Sequence, residues 1–323
     1  GPPEIEGLVV ERSPLHQQVD TLPDLVTAMV DDLVRRTADL LSPELCRQVQ
    51  QVILTGCGDS HHAGVCAELA FGPLAGLSCR AAPALHVSRY LVPFQPFDDC
   101  PTLVTAVSVS GQVVRTIEAL DLARQVGAAT LAITGSKRAP LAGEGELVLE
   151  TAVPPLPDEL ARLIVPGARS YLASQLALYV LAIHMGQMRG HLSAKEANAL
   201  RRELAGAAAL MEGTIATCDA TARRTAEAWL DAATYVYCGG GPNFGTALYS
   251  AAKLLEASGD LGTAQEMEEW AHLEYFAREA DTPTILISAG GLDEDRAMEI
   301  AAAARAIGRR LAVITPAGGS LAE

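Results

Sequence analysis

The stretch Val52-Ile53-Leu54-Thr55-Gly56-Cys57-Gly58-Asp59-Ser60 joins an apolar, β-branched run to a turn of small residues and then to a helix-forming segment reaching Phe71. Strand, tight turn and helix N-terminus in that order open a parallel α/β sheet, because crossover helices return the chain to the same sheet edge. Outward from it, Leu103 to Val109 reads as a strand, Ser110-Gly111-Gln112 as a turn, Val113 to Val126 as a helix and Thr130 to Thr134 as a further strand. Helices are predicted over Leu25 to Leu41 before this unit, over Ser170 to Met188 closing it, and from Ser193 to Leu230 after it.

The same order then returns. Tyr235-Val236-Tyr237 leads into Cys238-Gly239-Gly240-Gly241 and a helix through Glu256, and Ile285 to Ser288 leads into Gly290-Gly291, a helix and the run Leu311 to Thr315. Gly58 and Gly241 are 183 residues apart, Gly111 and Gly291 180, Gly127 and Gly308 181. One glycine pair would mean nothing, but three at a near-constant offset read as a tandem duplication. The expected organisation is an N-terminal helical segment over 1–44, a first α/β domain over 45–192, connecting helices over 193–230 and a second α/β domain over 231–323. The second copy reaches Glu323 soon after its last strand, so its closing strand, helix and tail are expected either outside this sequence or absent.

Composition narrows the function. Of 323 residues, 49% are hydrophobic and 4% aromatic, which suits a large aliphatic core, and no apolar run approaches the roughly 20 residues that span a bilayer. Gly1-Pro2-Pro3-Glu4 does not resemble a signal peptide, so no membrane attachment and a cytoplasmic location are expected. Net charge is −15 and no Lys/Arg cluster is interleaved with aromatics, which argues against nucleic acid as a partner. Seven cysteines without a CxxC pair suit a reducing compartment and argue against zinc. Neither a metal nor a cofactor is expected.

A small-residue turn feeding a helix presents unpaired N–H groups and the positive end of a dipole, which suits an anion. Ser60 sits at the first such turn, Ser108 and Ser110 flank the second, and hydroxyls donate to phosphate oxygens without adding charge. The second copy has Asn243, Ser288 and Gly290 at those places, so the first copy reads as the better anion site. Plain helix capping is the competing reading of any single serine.

These turns carry a resemblance. Gly56-Cys57-Gly58-Asp59-Ser60, Ser108-Val109-Ser110-Gly111, and Lys253-Leu254-Leu255-Glu256 followed sixteen residues later by His272 resemble SIS (sugar isomerase) domains. Their tandem order resembles the isomerase half of glucosamine-6-phosphate synthases. The resemblance implies two flavodoxin-like SIS domains, each a parallel sheet flanked by helices, and a sugar phosphate or analogue held by Gly58, Asp59, Ser60, Ser108, Ser110, Gly111, Gln112 and Val165. It further implies Glu256 as the proton-transferring carboxylate, His272 as the ring-opening histidine, Lys253 as an active-site lysine, and Glu269 as a weaker substrate-binding candidate. It also implies a homodimer in which His272 reaches the neighbouring subunit's site. The chain departs from the family at Val109 and Val113, where synthases have Gln and Thr, and at Val165-Pro166-Gly167-Ala168-Arg169, where Val-Ala-Ser-Thr-Lys is usual. The synthases also carry a glutamine-hydrolysing domain and a C-terminal-tail lysine that opens the ketose. With no such domain in this sequence, ammonia from glutamine within this polypeptide is not expected, and if the tail is absent Lys253 is the lysine placed to substitute.

The residues themselves support that chemistry. Aldose–ketose interconversion requires a base that moves a proton between C1 and C2 and a group that opens the ring. Lys253 and Glu256, three apart on a helix, share a face, and with His272 they match carboxylate shuttle, oxyanion partner and neutral acid–base group. A solvated salt bridge is the competing reading of the pair alone. His61 and His62 follow the first turn, and because adjacent helical residues point about 100° apart, at most one is expected to face a ligand. Cys57 is either a reactive thiol or small filler. Three functions remain: a phosphosugar isomerase, aminotransferase or deaminase, a deglycase-like enzyme cleaving a sugar–amine adduct, and a non-catalytic sugar-phosphate sensor.

Overall fold

The computed structural model describes residues 13–94, 97, 100–156 and 166–322. Helices α1 (Pro14–Asp20), α2 (Leu22–Leu40) and α3 (Pro43–Gln48) lead into β1 (Gln51–Gly56), α4 (Asp59–Ala67), α5 (Phe71–Ala75), β2 (Ser78–Pro83) and β3 (Thr102–Ser108). Then come α6 (Val114–Gln125), β4 (Ala129–Thr134), β5 (Leu147–Glu150), α7 (Arg169–Arg189) and α8 (Ala194–Ala228). The second half runs β6 (Thr234–Gly239), α9 (Pro242–Ser258), β7 (Leu261–Glu266), α10 (Met267–Leu273), β8 (Pro283–Ile287), α11 (Glu294–Ile307) and β9 (Arg310–Ile314).

All strands pair in parallel, in the order β2-β1-β3-β4-β5 in one sheet and β7-β6-β8-β9 in the other. Numbered within each half, both begin 2-1-3-4. Parallel sheets are covered on both faces, which explains why β1, β3 and β4 are almost wholly buried. Alternate side chains divide the core. Leu54, Leu103 and Leu131 pack with Leu25 and Leu33 of α2 and Leu176 and Leu181 of α7, while Ile53, Val104 and Ala106 face Ala119 and Leu120 of α6. Each such leucine contributes about 1.5–3 kcal/mol on burial. Helix α7, apolar on most of its circumference, is buried nearly all round. The second half has its own core of Val236, Leu286, Trp270, Ile300 and Ala301.

The offset glycines share a conformation. Gly58 (φ 54°, ψ −129°) and Gly241 (φ 52°, ψ −127°) start α4 and α9 in a backbone region that only glycine adopts without strain. Gly111, Gly291, Gly127 and Gly308 also have positive φ.

The connecting span, expected as helices, is the single 35-residue helix α8, started by a Ser193–Glu196 capping box. Strands β2, β5 and β7 lie outside the predicted elements. β2 and β7 read Ser-Cys-Arg-Ala-Ala-Pro and Leu-Gly-Thr-Ala-Gln-Glu and form sheet edges, where one side is solvated and a hydrophobic run is not required. Among the described residues no helix is long and apolar enough to cross a membrane.

Candidate functional site

In the 2-1-3-4-5 order the chain reverses direction across the sheet between β1 and β3, and ligands of such folds settle outside the carboxyl ends of those strands. The β1–α4 and β3–α6 turns leave there, since β1 and β3 are hydrogen-bonded neighbours. Gly58 caps α4 with backbone only, so the first-turn N–H groups of α4 are left for other acceptors. Ser60 lies half-buried in that turn. Ser108 is buried and its Oγ accepts from the Gly111 N–H (3.2 Å), while the exposed Ser110 accepts from the Gln112 N–H (3.3 Å). Both hydroxyls are used as acceptors, which leaves their protons to donate. Val109 and Val113, 38% and 37% exposed, flank the same turn with apolar surface.

The matching turn of the second half is built differently. Ser288 Oγ donates to Asp293 Oδ1 (3.1 Å) and accepts from the Gly290 N–H (3.2 Å). A Cβ added to Gly240 would lie 2.8 Å from Asp293 Oδ2. The Asp293 carboxylate therefore seats itself against the β6–α9 and β8–α11 turns, as a built-in anion would. At the 180-residue offset the first half has Val113, so its turns keep their donors for something else.

The two halves meet where α9 lies on α4. A Cβ on Gly245 would come within 2.5 Å of Cys66 Sγ and 2.7 Å of the Cys66 nitrogen, so only glycine allows this approach. The contact buries Lys253 to 8% exposure and sets its Nζ 2.7 Å from Asp59 Oδ2 across 194 residues of sequence. The same ammonium donates to the Glu256 carboxylate. Lys253 Nζ also stands 5.2 Å from the centroid of Tyr249, whose ring stacks on Tyr171 (3.7 Å, 7° between planes) and whose hydroxyl donates to the Gly167 carbonyl (3.3 Å).

Charge and burial compete at this junction. Burial raises the Asp59 carboxyl, against the hydrogen bond and charge of Lys253, and the nearby Glu256 charge raises it further. His62 is lowered by burial first and by Lys253 second, with Glu256 opposing. Burial, reinforced by His62, lowers His61 to about 4.

Lys253 and Glu256 thus come together as the sequence predicts, but Asp59, the first residue of α4, also turns its carboxylate to Lys253. His272 is not part of this cluster within the chain. It is 71% exposed on α10 and pairs with Glu268 (3.3 Å). Glu269 is exposed in the first turn of the same helix. Val165 lies outside the described residues. Next to it, Pro166 and Ala168 are clamped by the buried Gln18 side chain, which donates to the Pro166 carbonyl (3.2 Å) and accepts from the Ala168 N–H (3.1 Å). Cys57 is exposed, with Thr116 Oγ1 at 3.7 Å from its sulfur. No group of three or more His, Cys, Asp or Glu among the described residues is placed to hold a metal ion. Two concavities, about 470 Å³ around Arg35, Arg36, Lys137 and Glu150 and about 330 Å³ around Arg47, Arg189 and His191, lie away from the cluster.

Comparison with known proteins places the chain beside sugar-phosphate enzymes in sequence and fold. Residues 45–185 match the SIS domain family. The glutamine–fructose-6-phosphate aminotransferase of Streptomyces coelicolor is 28% identical over 76% of this chain and 38% of its own length, and that of Symbiobacterium thermophilum is 30% identical over 76% and 39%. The chain therefore spans under half the length of these relatives. In fold it is similar to the C-terminal domain of glucosamine–fructose-6-phosphate aminotransferase from Francisella tularensis (TM-score 0.79, 18% identity, 94% of this chain and 83% of that one). It is similar also to a glucosamine-6-phosphate deaminase from Thermotoga maritima (TM-score 0.70, 19% identity, 95% and 86%). Residues 45–185 are accordingly a SIS domain, in a chain homologous to the SIS half of the glutamine–fructose-6-phosphate aminotransferases.

Proposed function

We propose that this chain binds a sugar phosphate, or a close analogue, on the β1–α4 and β3–α6 turns and moves a proton between C1 and C2 of the opened sugar with Glu256. The observation that carries the reading is Lys253, a buried ammonium held by Asp59 from the first half and bonded to Glu256 from the second. Its second carboxylate partner makes the arrangement more than a surface i, i+3 pair, and fixes it beside the serine turns. Glu256 is about half exposed, so its carboxylate can meet a ligand, while Lys253 supplies positive charge to the oxyanion that develops as the proton leaves. His272 acts from the second copy of a homodimer, which accounts for its exposure here. The reaction class is isomerisation, or amination and deamination, of a phosphosugar.

A second reading is a sensor that binds without turnover. Val109 and Val113, which bring apolar surface to the anion-binding turn, favour it.

The test is solvent exchange. Wild-type protein in D2O with fructose 6-phosphate or glucosamine 6-phosphate is expected to place deuterium at C1 or C2, followed by NMR. Glu256→Gln is expected to lower exchange by at least about 100-fold while the thermal shift with the same sugars persists. Exchange unaffected by Glu256→Gln would overturn the catalytic role, and binding without exchange in wild type would favour the sensor.

A further inference from the structure

The α4 face that carries Asp59 also carries His62, three residues on and therefore on the same side of the helix. The α9 face that meets it carries Lys253 and Glu256, again three apart. The Asp59–Lys253 ion pair ties these two faces together, so His62 enters the junction from the first half and Glu256 from the second. Lys253 and Glu256 both act electrostatically on the His62 ring, whereas His61, one residue earlier, responds to His62.

The His62 ring is poorly served by the protein. Its Nδ1 is buried without a hydrogen-bond partner, as is Asp59 Oδ1 on the same helix face. Among the described residues its Nε2 makes no hydrogen bond either, and the residue remains partly exposed. Buried polar atoms are nearly always paired in folded proteins, and unpaired ones cluster where a ligand or ordered water completes the set.

We propose that His62 is a catalytic acid–base residue of this site, acting from the same chain as Glu256 on a hydroxyl or ring oxygen of the bound sugar. The proposal rests on the phosphosugar reading above. It gives each chain its own imidazole at the Lys253–Glu256 junction, independent of the His272 of a second copy. The charged and titratable groups facing His62 are Lys253 and Glu256 on α9 and Asp59 and His61 on α4. Tyr171 and Tyr179 of α7 contact Cys66, one turn further along α4. Burial first and Lys253 second disfavour the charged form of His62, which favours the neutral ring that accepts or relays a proton without first losing one.

The experiment follows C1 and C2 deuterium exchange in fructose 6-phosphate and glucosamine 6-phosphate, with kcat and KM taken from pH 5 to 9. His62→Asn is expected to lower kcat by about 100-fold or more with KM within about 3-fold, and to remove the fall of kcat/KM on the acid side. His61→Asn serves as the control and is expected to stay within about 3-fold of wild type. A thermal melt excludes misfolding, and His62→Gln, which restores a polar group near Nε2, is expected to recover part of the rate. If Glu256→Gln abolishes exchange and His62→Asn does not, this proposal fails and the phosphosugar reading stands. If wild-type protein exchanges neither sugar, the reading fails and the proposal with it.

Discussion

Replacing Lys253 with Met keeps most of the side-chain volume and removes the one cation between Asp59 and Glu256. Removing one partner of a fully buried pair costs about 3–5 kcal/mol. Asp59 is 25% exposed and Glu256 47%, so water screens much of the loss, and about 1–3 kcal/mol is expected near neutral pH. For a chain of this size that lowers Tm by about 2–4 °C per kcal/mol. The pH dependence identifies the cause. Burial raises folded Asp59 above its unfolded value of 3.8, so above that value the folded state holds a proton that the unfolded state has released. Stability therefore falls as pH rises through that window. Lys253 limits the rise, so in Lys253→Met the window extends upward, and the deficit grows from acid to neutral pH. Urea unfolding at several pH values from 4.5 to 8, on wild type, Lys253→Met and Asp59→Asn/Lys253→Met, measures this. The double variant is expected to recover most of the neutral-pH deficit. A deficit that is independent of pH, or a double variant no more stable than Lys253→Met, would refute the reasoning.

Gly245→Ala is expected to destabilise by about 1–3 kcal/mol, although Gly→Ala inside a helix ordinarily stabilises, because the new methyl meets the Cys66 sulfur and backbone nitrogen; stabilisation in chemical denaturation would count against the α4–α9 contact. His61 is held near 4 by burial, against 6.5 when unfolded, so the unfolded state takes up a proton between those values and stability is lost as pH falls from 6.5 toward 4. His61→Gln is expected to reduce that acid loss by on the order of 1–3 kcal/mol, and an unchanged slope between pH 5 and 7.5 would show that His61 is not buried in this way.

Much of the fold was legible because two periodicities coincide with special backbone. The apolar runs at Val52, Leu103 and Thr130 are central strands, and glycines at a near-constant offset mark turns whose positive φ only glycine tolerates. The edge strands Ser78–Pro83 and Leu261–Glu266 were not legible, since half-solvated strands need no apolar run. At the site, the Lys253–Glu256 pair follows from helical spacing alone. Asp59 on Lys253 does not, because 194 residues separate them and only the seating of α9 on α4 joins them. Gly245 is a sequence trace of that seating, though nothing in one sequence says which helix presses on it. Which of the adjacent His61 and His62 serves a ligand is likewise left open by adjacency, and His62 is the one whose buried Nδ1 has no partner. His272 shows the converse: its spacing from Glu256 points to the site, while the fold of one chain turns it to solvent.

The central claim is that the first-half turns receive a phosphorylated sugar, and a thermal-shift series tests it most directly. Fructose 6-phosphate, glucose 6-phosphate and glucosamine 6-phosphate would be compared with the unphosphorylated sugars. A ligand that binds only the folded state adds about 2.7 kcal/mol at one hundred times its Kd. At least one phosphosugar is expected to raise Tm by several degrees, with the effect reduced in Ser108→Ala and Ser110→Ala. No response to any phosphosugar, or equal responses to the unphosphorylated sugars, would contradict the account.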